Sequence, residues 1–207
     1  MKKIGIFGGT FDPFHRLHLR IALSAKNTLG LDRLIVVPTG NPPHKNNKSI
    51  SSFDHRMNMV KLSIKGLNGF SVSDIENQSR MRKSYTSDTL DYFSDRYPGD
   101  RLFFIVGSDS LFDIENWKDP PNIFRKAEIV VFFRPNISTK EELADQIRYL
   151  SQKYDANITQ IEIFAEDISS TDIRSDLRDG ILSSDSIHPD VKNYIKDHRL
   201  YERTDIS

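Results

Sequence analysis

Short apolar runs alternate with stretches in which apolar residues recur every three or four positions, from one end of the chain to the other. Ile4–Phe7, Leu34–Val37, Leu102–Val106 and Ile129–Phe133 are continuous runs of strand length, as expected of strands covered on both faces. Phe70–Asp74 and Ile158–Phe164 alternate apolar with polar residues and read as strands with one drier face. Helical spacing fills the intervals. The first helix is predicted from about Pro13 to Leu29, with Asp12 as N-cap, Pro13 in the first turn and Gly30 as the stop. Its stripe is Phe14, Leu17, Ile21 and Thr28, with Ala25 beside it. Phe53, Met57, Val60, Ile64 and Leu67 mark a second helix, capped by Ser51 or Ser52. A third opens at Tyr85-Thr86, turns Leu90, Phe93 and Tyr97 inward and ends at Pro98-Gly99. A short helix over Ile123–Ala127 follows, then one carrying Leu143, Ile147, Leu150 and Tyr154. Another opens at Ser169-Ser170-Thr171 and ends near Gly180, and a last one runs from Pro189 to about Asp197. The polar tail from about residue 199 is expected to be loose.

Strand and helix in regular alternation imply right-handed crossovers, hence a parallel sheet with helices on both faces. The predicted fold is therefore α/β, one doubly wound domain over residues 1–207. Ligands of such sheets bind beyond the carboxyl ends of the strands, where the strand order reverses. His15, His18, Lys45, Asp109, Arg134 and Arg174 all lie in segments that follow predicted strands, so they are expected on that edge.

Composition narrows the ligand. Formal net charge is zero, with pI near 7.0, so no broad footprint for nucleic acid or an anionic membrane is expected. An anionic ligand must then be held by a local cluster of cations. Cysteine is absent, which removes disulfides, thiolate metal sites and a cysteine nucleophile together. No apolar run exceeds strand length, so neither a signal peptide nor a membrane span is predicted, and the location read from this is the cytoplasm. The pattern leaves a homo-oligomer open.

The chemistry concentrates at two places. Ile4–Phe7 leads through Gly8-Gly9-Thr10-Phe11 into the first helix, where His15 and His18 stand three residues apart. A strand that turns into a helix start aims unpaired N–H groups and the positive end of a helix dipole at one point, which suits phosphate. This stretch has neither the lysine and hydroxyl of a P-loop nor the G-x-G-x-x-G spacing. Much farther along, Ser169-Ser170-Thr171-Asp172-Ile173-Arg174 is a second helix start with a cation one turn in. Taken singly, the glycines are a tight turn, the serines a cap, and the lone tryptophan, Trp117, a core residue. Taken together they offer phosphate contacts with no covalent nucleophile and no protein metal cage. Such a set suits direct phosphoryl or nucleotidyl transfer, in which the enzyme positions phosphates and neutralises charge.

The two stretches resemble the paired signatures of the nucleotidyltransferases that build dinucleotide coenzymes, whose fold is Rossmann-like. Gly8–Pro13 with His15 and His18 is similar to their H-x-G-H motif, and Ile168–Arg174 to I-S-S-T-x-I-R. Asn41-Pro42-Pro43-His44-Lys45, Tyr85-Thr86 and Gly107-Ser108-Asp109 resemble one branch, the bacterial nicotinate-nucleotide adenylyltransferases. That resemblance implies transfer of the adenylyl group of ATP to nicotinate mononucleotide, with Mg²⁺ carried by the ATP phosphates. It implies phosphate contacts from Gly8, Gly9, Thr10, Phe11, His15 and His18, with His18 stabilising the α-phosphoryl transition state. Ser170, Thr171 and Arg174 would hold the departing pyrophosphate, and Gly107 and Asp109 the ribose and adenine. Lys45, with His44 from the same loop, would meet the mononucleotide phosphate. Trp117 would stack on the pyridine ring, Thr86 would receive its carboxylate through the backbone, and Arg134 joins the acceptor side. One position departs from the pattern: Leu17 stands where the motif has glycine. Leu17 is either added core packing behind a shifted helix start or a partial obstruction of the ATP site. Two alternatives follow: an adenylyltransferase for another small phosphate ester (nicotinamide mononucleotide or phosphopantetheine), and a non-catalytic nucleotide-binding protein.

Overall fold

The computed structural model describes residues 1–40, 50–79, 84–134, 137–163, 168–181 and 186–202. Strand β1 (Lys3–Gly9) is central, with β2 (Arg33–Pro38) on one side and β4 (Arg101–Gly107) on the other. Beyond β2 lies β3 (Phe70–Val72); beyond β4 lie β5 (Glu128–Phe132) and β6 (Ile158–Ile161). All neighbours are parallel, in the order β3-β2-β1-β4-β5-β6. This is the expected doubly wound sheet, and its order reverses between β1 and β4. Register places Gly9 opposite Pro38, and Gly107 opposite Phe132, so these strands finish on one edge.

Alternation along the strands sends Ile4, Ile6, Phe104 and Val106 to one face, and Phe7, Phe103 and Ile105 to the other. The first face packs on α3 (Thr86–Arg96), α4 (Ser108–Asp113), α5 (Pro120–Lys126) and α6 (Lys140–Tyr154) through Leu90, Leu111, Ile123 and Leu143. The second packs on α1 (Arg16–Leu29) and α2 (Phe53–Ser63) through Ile21, Ala25 and Val60. A third apolar cluster joins Met59 of α2 to Ile173 of α7 (Ser170–Arg178) and to Val191 and Ile195 of α8 (Pro189–Asp197).

Several boundaries differ from the sequence reading, for local reasons. Helix α1 starts at Arg16 with His15 as N-cap, not at Pro13. Asp12 does not cap it, because its carboxylate accepts hydrogen bonds from the Ser51 N–H and the Tyr201 hydroxyl instead. On α1 the position given to Thr28 is exposed, and Ala22 joins the buried stripe. Ser52, rather than Ser51, caps α2 by accepting from the His55 N–H. β3 stops at Val72, short of Asp74, and a 3-10 turn at Ile75–Ser79 follows. α5 begins three residues before Ile123, capped by Asp119, with Pro120 in the first turn where its missing N–H costs nothing. The tail is not loose at residue 199. Leu200 and Tyr201 pack on the third cluster, and the Tyr201 hydroxyl donates to Asp12 Oδ1 at 2.6 Å.

Candidate active site

The reversal of strand order opens a cavity of about 1500 Å³ over the carboxyl ends of β1 and β4. Gly8 and Gly9 close β1 as strand residues, and the sharp backbone falls two residues later at Phe11, with φ 52°. A Cβ on Gly9 would lie 2.7 Å from the Phe11 ring, so glycine is what lets that ring fold back. A Cβ on Gly8 would meet nothing nearer than Phe104 at 3.6 Å, and this stretch of backbone lines the cavity. Phe11, 2% exposed, packs between Phe7, Phe14 and His18 at ring-centre distances of 5.3, 5.2 and 5.0 Å. The turn is thus an aromatic plug that carries the histidines on its far side.

His15 and His18 stack with ring centres 3.6 Å apart, and both line the cavity. The His15 N–H donates to His18 Nδ1 at 3.2 Å, so the neutral His18 ring carries its proton on Nε2 as a donor. His15 Nδ1 is buried and has no partner among the described residues. Burial, reinforced by the nearby Arg134 guanidinium, lowers His15 to about 3. Burial first, then His15 and Arg134, holds His18 well below the usual imidazole range. Both rings are therefore neutral at neutral pH, and a phosphate placed against them favours their protonated forms.

The second helix start faces the first directly. Ser169 caps α7 by accepting from the Asp172 N–H, and Ser170 Oγ donates to the Pro13 carbonyl at 3.1 Å. Arg174 donates through Nη1 to the Asp12 carbonyl at 2.7 Å, and its Nη2 lies 3.4 Å from Thr171 Oγ1. Thr171 is exposed and lines the cavity with Arg174.

At the end of β4, a Cβ on Gly107 would run into Asp109 Oδ1 and come within 3.0 Å of Arg134 Nε. Any side chain there would displace the ion pair between Arg134 Nη1 and Asp109 Oδ2 at 3.2 Å. Asp109 Oδ1 is buried without a partner among the described residues. Arg134 also lies over the Phe132 ring, so the sequence-predicted acceptor contact stands beside Gly107 and Asp109 instead. Toward the other end of the cavity are Thr86, in the first turn of α3, and Trp117. The Trp117 ring packs edge-on against Phe104, and its Nε1–H donates to Asp113 at 3.1 Å. His44 and Lys45 lie outside the described residues. Leu17, half-buried in α1, packs against the second-face core and also borders the cavity.

The comparisons with known proteins decide the family. Residues 6–176 match the cytidylyltransferase-like family model. A probable nicotinate-nucleotide adenylyltransferase of Clostridium tetani is 41% identical over 97% of this chain and 100% of its own length. One from Clostridium botulinum is 42% identical over 98% and 99%. The chain belongs to the nicotinate-nucleotide adenylyltransferase family. The same fold occurs in the Plasmodium falciparum nicotinic acid mononucleotide adenylyltransferase complexed with NaAD, with TM-score 0.77, 24% identity and coverage of 97% and 98%.

The support of this site includes three residues that the sequence reading missed. Arg56, 2% exposed, donates through Nη1 to the Thr10 carbonyl at 2.8 Å and through Nε to the Ser51 carbonyl at 3.1 Å. Glu76 accepts from the Gly40 N–H at 3.1 Å and from Thr89 Oγ1 at 3.0 Å, and burial raises its carboxyl. Tyr201 holds Asp12. Arg56 had a visible signal, a charge on the Phe53–Met57–Val60 stripe of an amphipathic helix. Tyr201 had a weaker one, an apolar pair with Leu200 in an otherwise polar tail.

Proposed function

We propose that the chain transfers the adenylyl group of ATP to nicotinate mononucleotide, giving deamido-NAD and pyrophosphate. One observation carries the phosphate chemistry. Helix starts α1 and α7 meet across the Asp12–Pro13 turn, so His15, His18, Thr171 and Arg174 share one cavity with Trp117 and Thr86. An oxygen of the mononucleotide phosphate attacks the α-phosphorus of ATP. A new P–O bond forms as the bond to the bridging β-phosphate oxygen breaks, and pyrophosphate departs with that electron pair. His18, donating from Nε2, and His15 stabilise charge on the α-phosphoryl oxygens as it develops. Arg174 and Thr171 receive the leaving phosphates at the positive end of α7. Gly107 gives the ribose close approach to the backbone, with Asp109 beside it, and Arg134 holds Asp109 in place. Trp117 stacks on the pyridine, and the open first turn of α3 at Thr86 takes the carboxylate.

Mg²⁺ belongs to this proposal as a companion of ATP. The described residues include no group of three or more His, Cys, Asp or Glu side chains able to hold a metal ion. Their contacts are donors and cations, which fit a triphosphate that brings its own metal. When bound there, Mg²⁺ neutralises charge on the phosphates.

Pyrophosphate release from ATP, measured with nicotinate mononucleotide, nicotinamide mononucleotide and phosphopantetheine in turn, tests the assignment. Preference for nicotinate mononucleotide is expected. Equal rates with the nicotinamide form, turnover with phosphopantetheine alone, or ATP binding without any product would overturn it.

A further inference from the structure

The Thr10–Pro13 turn is held by groups from three distant parts of the chain, and one of them lies near its end. Arg56 holds the Thr10 carbonyl, Arg174 the Asp12 carbonyl and Ser170 the Pro13 carbonyl. The Asp12 carboxylate, 2% exposed, takes the Ser51 N–H at 3.2 Å on Oδ2 and the Tyr201 hydroxyl at 2.6 Å on Oδ1. The Tyr201 bond spans 189 residues. A simple anchor for the tail would not need this geometry, because Leu200 already packs on the third apolar cluster. The backbone is bent to deliver the phenol: Tyr201 has φ 69° and Arg199 φ 49°, both left-handed positions that side chains larger than glycine rarely adopt. Such conformations persist where the surroundings over-determine them, and they gather at functional sites. The residue that receives the phenol stands three positions before His15 and directly after Phe11, whose left-handed backbone turns its ring onto His18.

Asp12 is where the two phosphate-binding halves meet. Its backbone carbonyl is bound to Arg174 of α7, while His15 and His18 at the start of α1 lie three and six residues on. We propose that Tyr201 is a positioning residue for adenylyl transfer: its hydroxyl fixes the Asp12 carboxylate and so sets the spacing between His15 and His18 on one side and Arg174 on the other. Burial and the adjacent carboxylate raise the phenol well above its ordinary range, so it stays a donor throughout the working pH range. Arg56 supports the same turn through a different carbonyl and does not replace this bond.

The inference rests on the reading of the reaction given above. Wild-type turnover of nicotinate mononucleotide tests that reading, whereas ratios between variants test Tyr201. Tyr201→Phe keeps the ring and its packing and removes one oxygen. In the full-length protein it is expected to lower kcat about tenfold, to leave KM for nicotinate mononucleotide within twofold, and to shift the melting temperature by only a few degrees. A tail anchor would give the reverse, a lower melting temperature with kcat intact. The same substitution placed in an Asp12→Asn background should cost less than twofold, because the bond through which it acts is already altered. A kcat within twofold of wild type for Tyr201→Phe, or an equal loss in both backgrounds, would overturn the proposal.

Discussion

At the phosphate end of the cavity the turn is held by side chains from far along the chain, whereas at the acceptor end neighbouring side chains hold one another near the surface. Asp12 and Arg56 are each 2% exposed, and Arg56, Arg174, Ser170 and Tyr201 hold the Thr10, Asp12 and Pro13 carbonyls and the Asp12 carboxylate. Trp117 is tied to Asp113 four residues away, and Lys118 bridges Asp88 at 2.7 Å while lying over the Tyr85 ring, with both carboxylate partners exposed. Glu76, which joins Gly40 to Thr89, gives the acceptor end a part-buried tie. Transition-state charge is stabilised best by groups already in place, since rearranging them during the reaction costs part of what they contribute. A flat aromatic ring can be received by a stack and a helix start that adjust. The two ends should therefore fail in different kinetic constants.

The largest effect is expected at the phosphate end. His18→Ala should lower kcat by about a hundred- to a thousandfold, the usual loss for one preorganised donor. Arg174→Ala, which removes the donor to the Asp12 carbonyl as well as a leaving-group cation, should cost about 10- to 100-fold and far more in rate than in folding stability. Steady-state kinetics beside thermal melts check both. Activity within a few-fold of wild type for either variant would remove that residue from the chemistry.

Acid should expose the same asymmetry. His15 is lowered to about 3, chiefly by burial, and His18 is also held below its ordinary value of 6.5. Below pH 6.5 the unfolded chain takes up these protons while the folded chain refuses them. Their stabilising contribution is thus full above pH 6.5 and is lost as pH falls toward 3, by up to about 1.4 kcal/mol per pH unit for each histidine. Denaturant midpoints between pH 7 and pH 4.5 should fall in the wild type and fall less steeply in His15→Gln. An unchanged slope in that variant would show that the ring is not held neutral by its surroundings. ATP should flatten the slope, because bound phosphate favours the protonated rings.

At the acceptor end Trp117→Ala should raise KM for nicotinate mononucleotide up to about tenfold, the value of one aromatic stack, with kcat within about threefold. A kcat loss as large as that of His18→Ala would erase the distinction between the ends.

The legible part of this molecule follows the same division. Strand runs Ile4–Phe7, Leu102–Val106 and Ile129–Phe133 were readable because burial on both faces demands continuous apolar residues, whatever lies around them. The phosphate motifs were readable because spacing along one helix start determines which side chains can share a ligand. Asp12 was misread for a related reason. An acidic residue before a proline at a helix start looks like a cap, and only the fold reveals Tyr201 and Ser51 as its partners. Arg56 and Glu76 act through backbone groups of other segments, the Thr10 carbonyl and the Gly40 N–H, and local sequence carries no trace of such partners. Arg134 followed the right strand, yet its pairing with Asp109 depends on the register of β4 with β5.

Leu17 offers the finest cut between the two readings of the phosphate end, because it borders the cavity and packs on the second-face core at once. It stands one residue after the first residue of α1, since that helix begins at Arg16 behind the His15 cap. The shifted start lets the leucine turn toward the core while His15 and His18 keep their stack and their place on the cavity wall. Leu17→Gly should then act mainly on stability, with about 1 kcal/mol from helix propensity and roughly 1 to 2 from lost apolar burial. KM for ATP should change by less than about threefold. A tenfold fall in KM with little loss of stability would mean instead that the leucine intrudes on the nucleotide. The preorganised end of the cavity would then be narrower than ATP needs, and its rigidity would weaken binding as well as speed transfer.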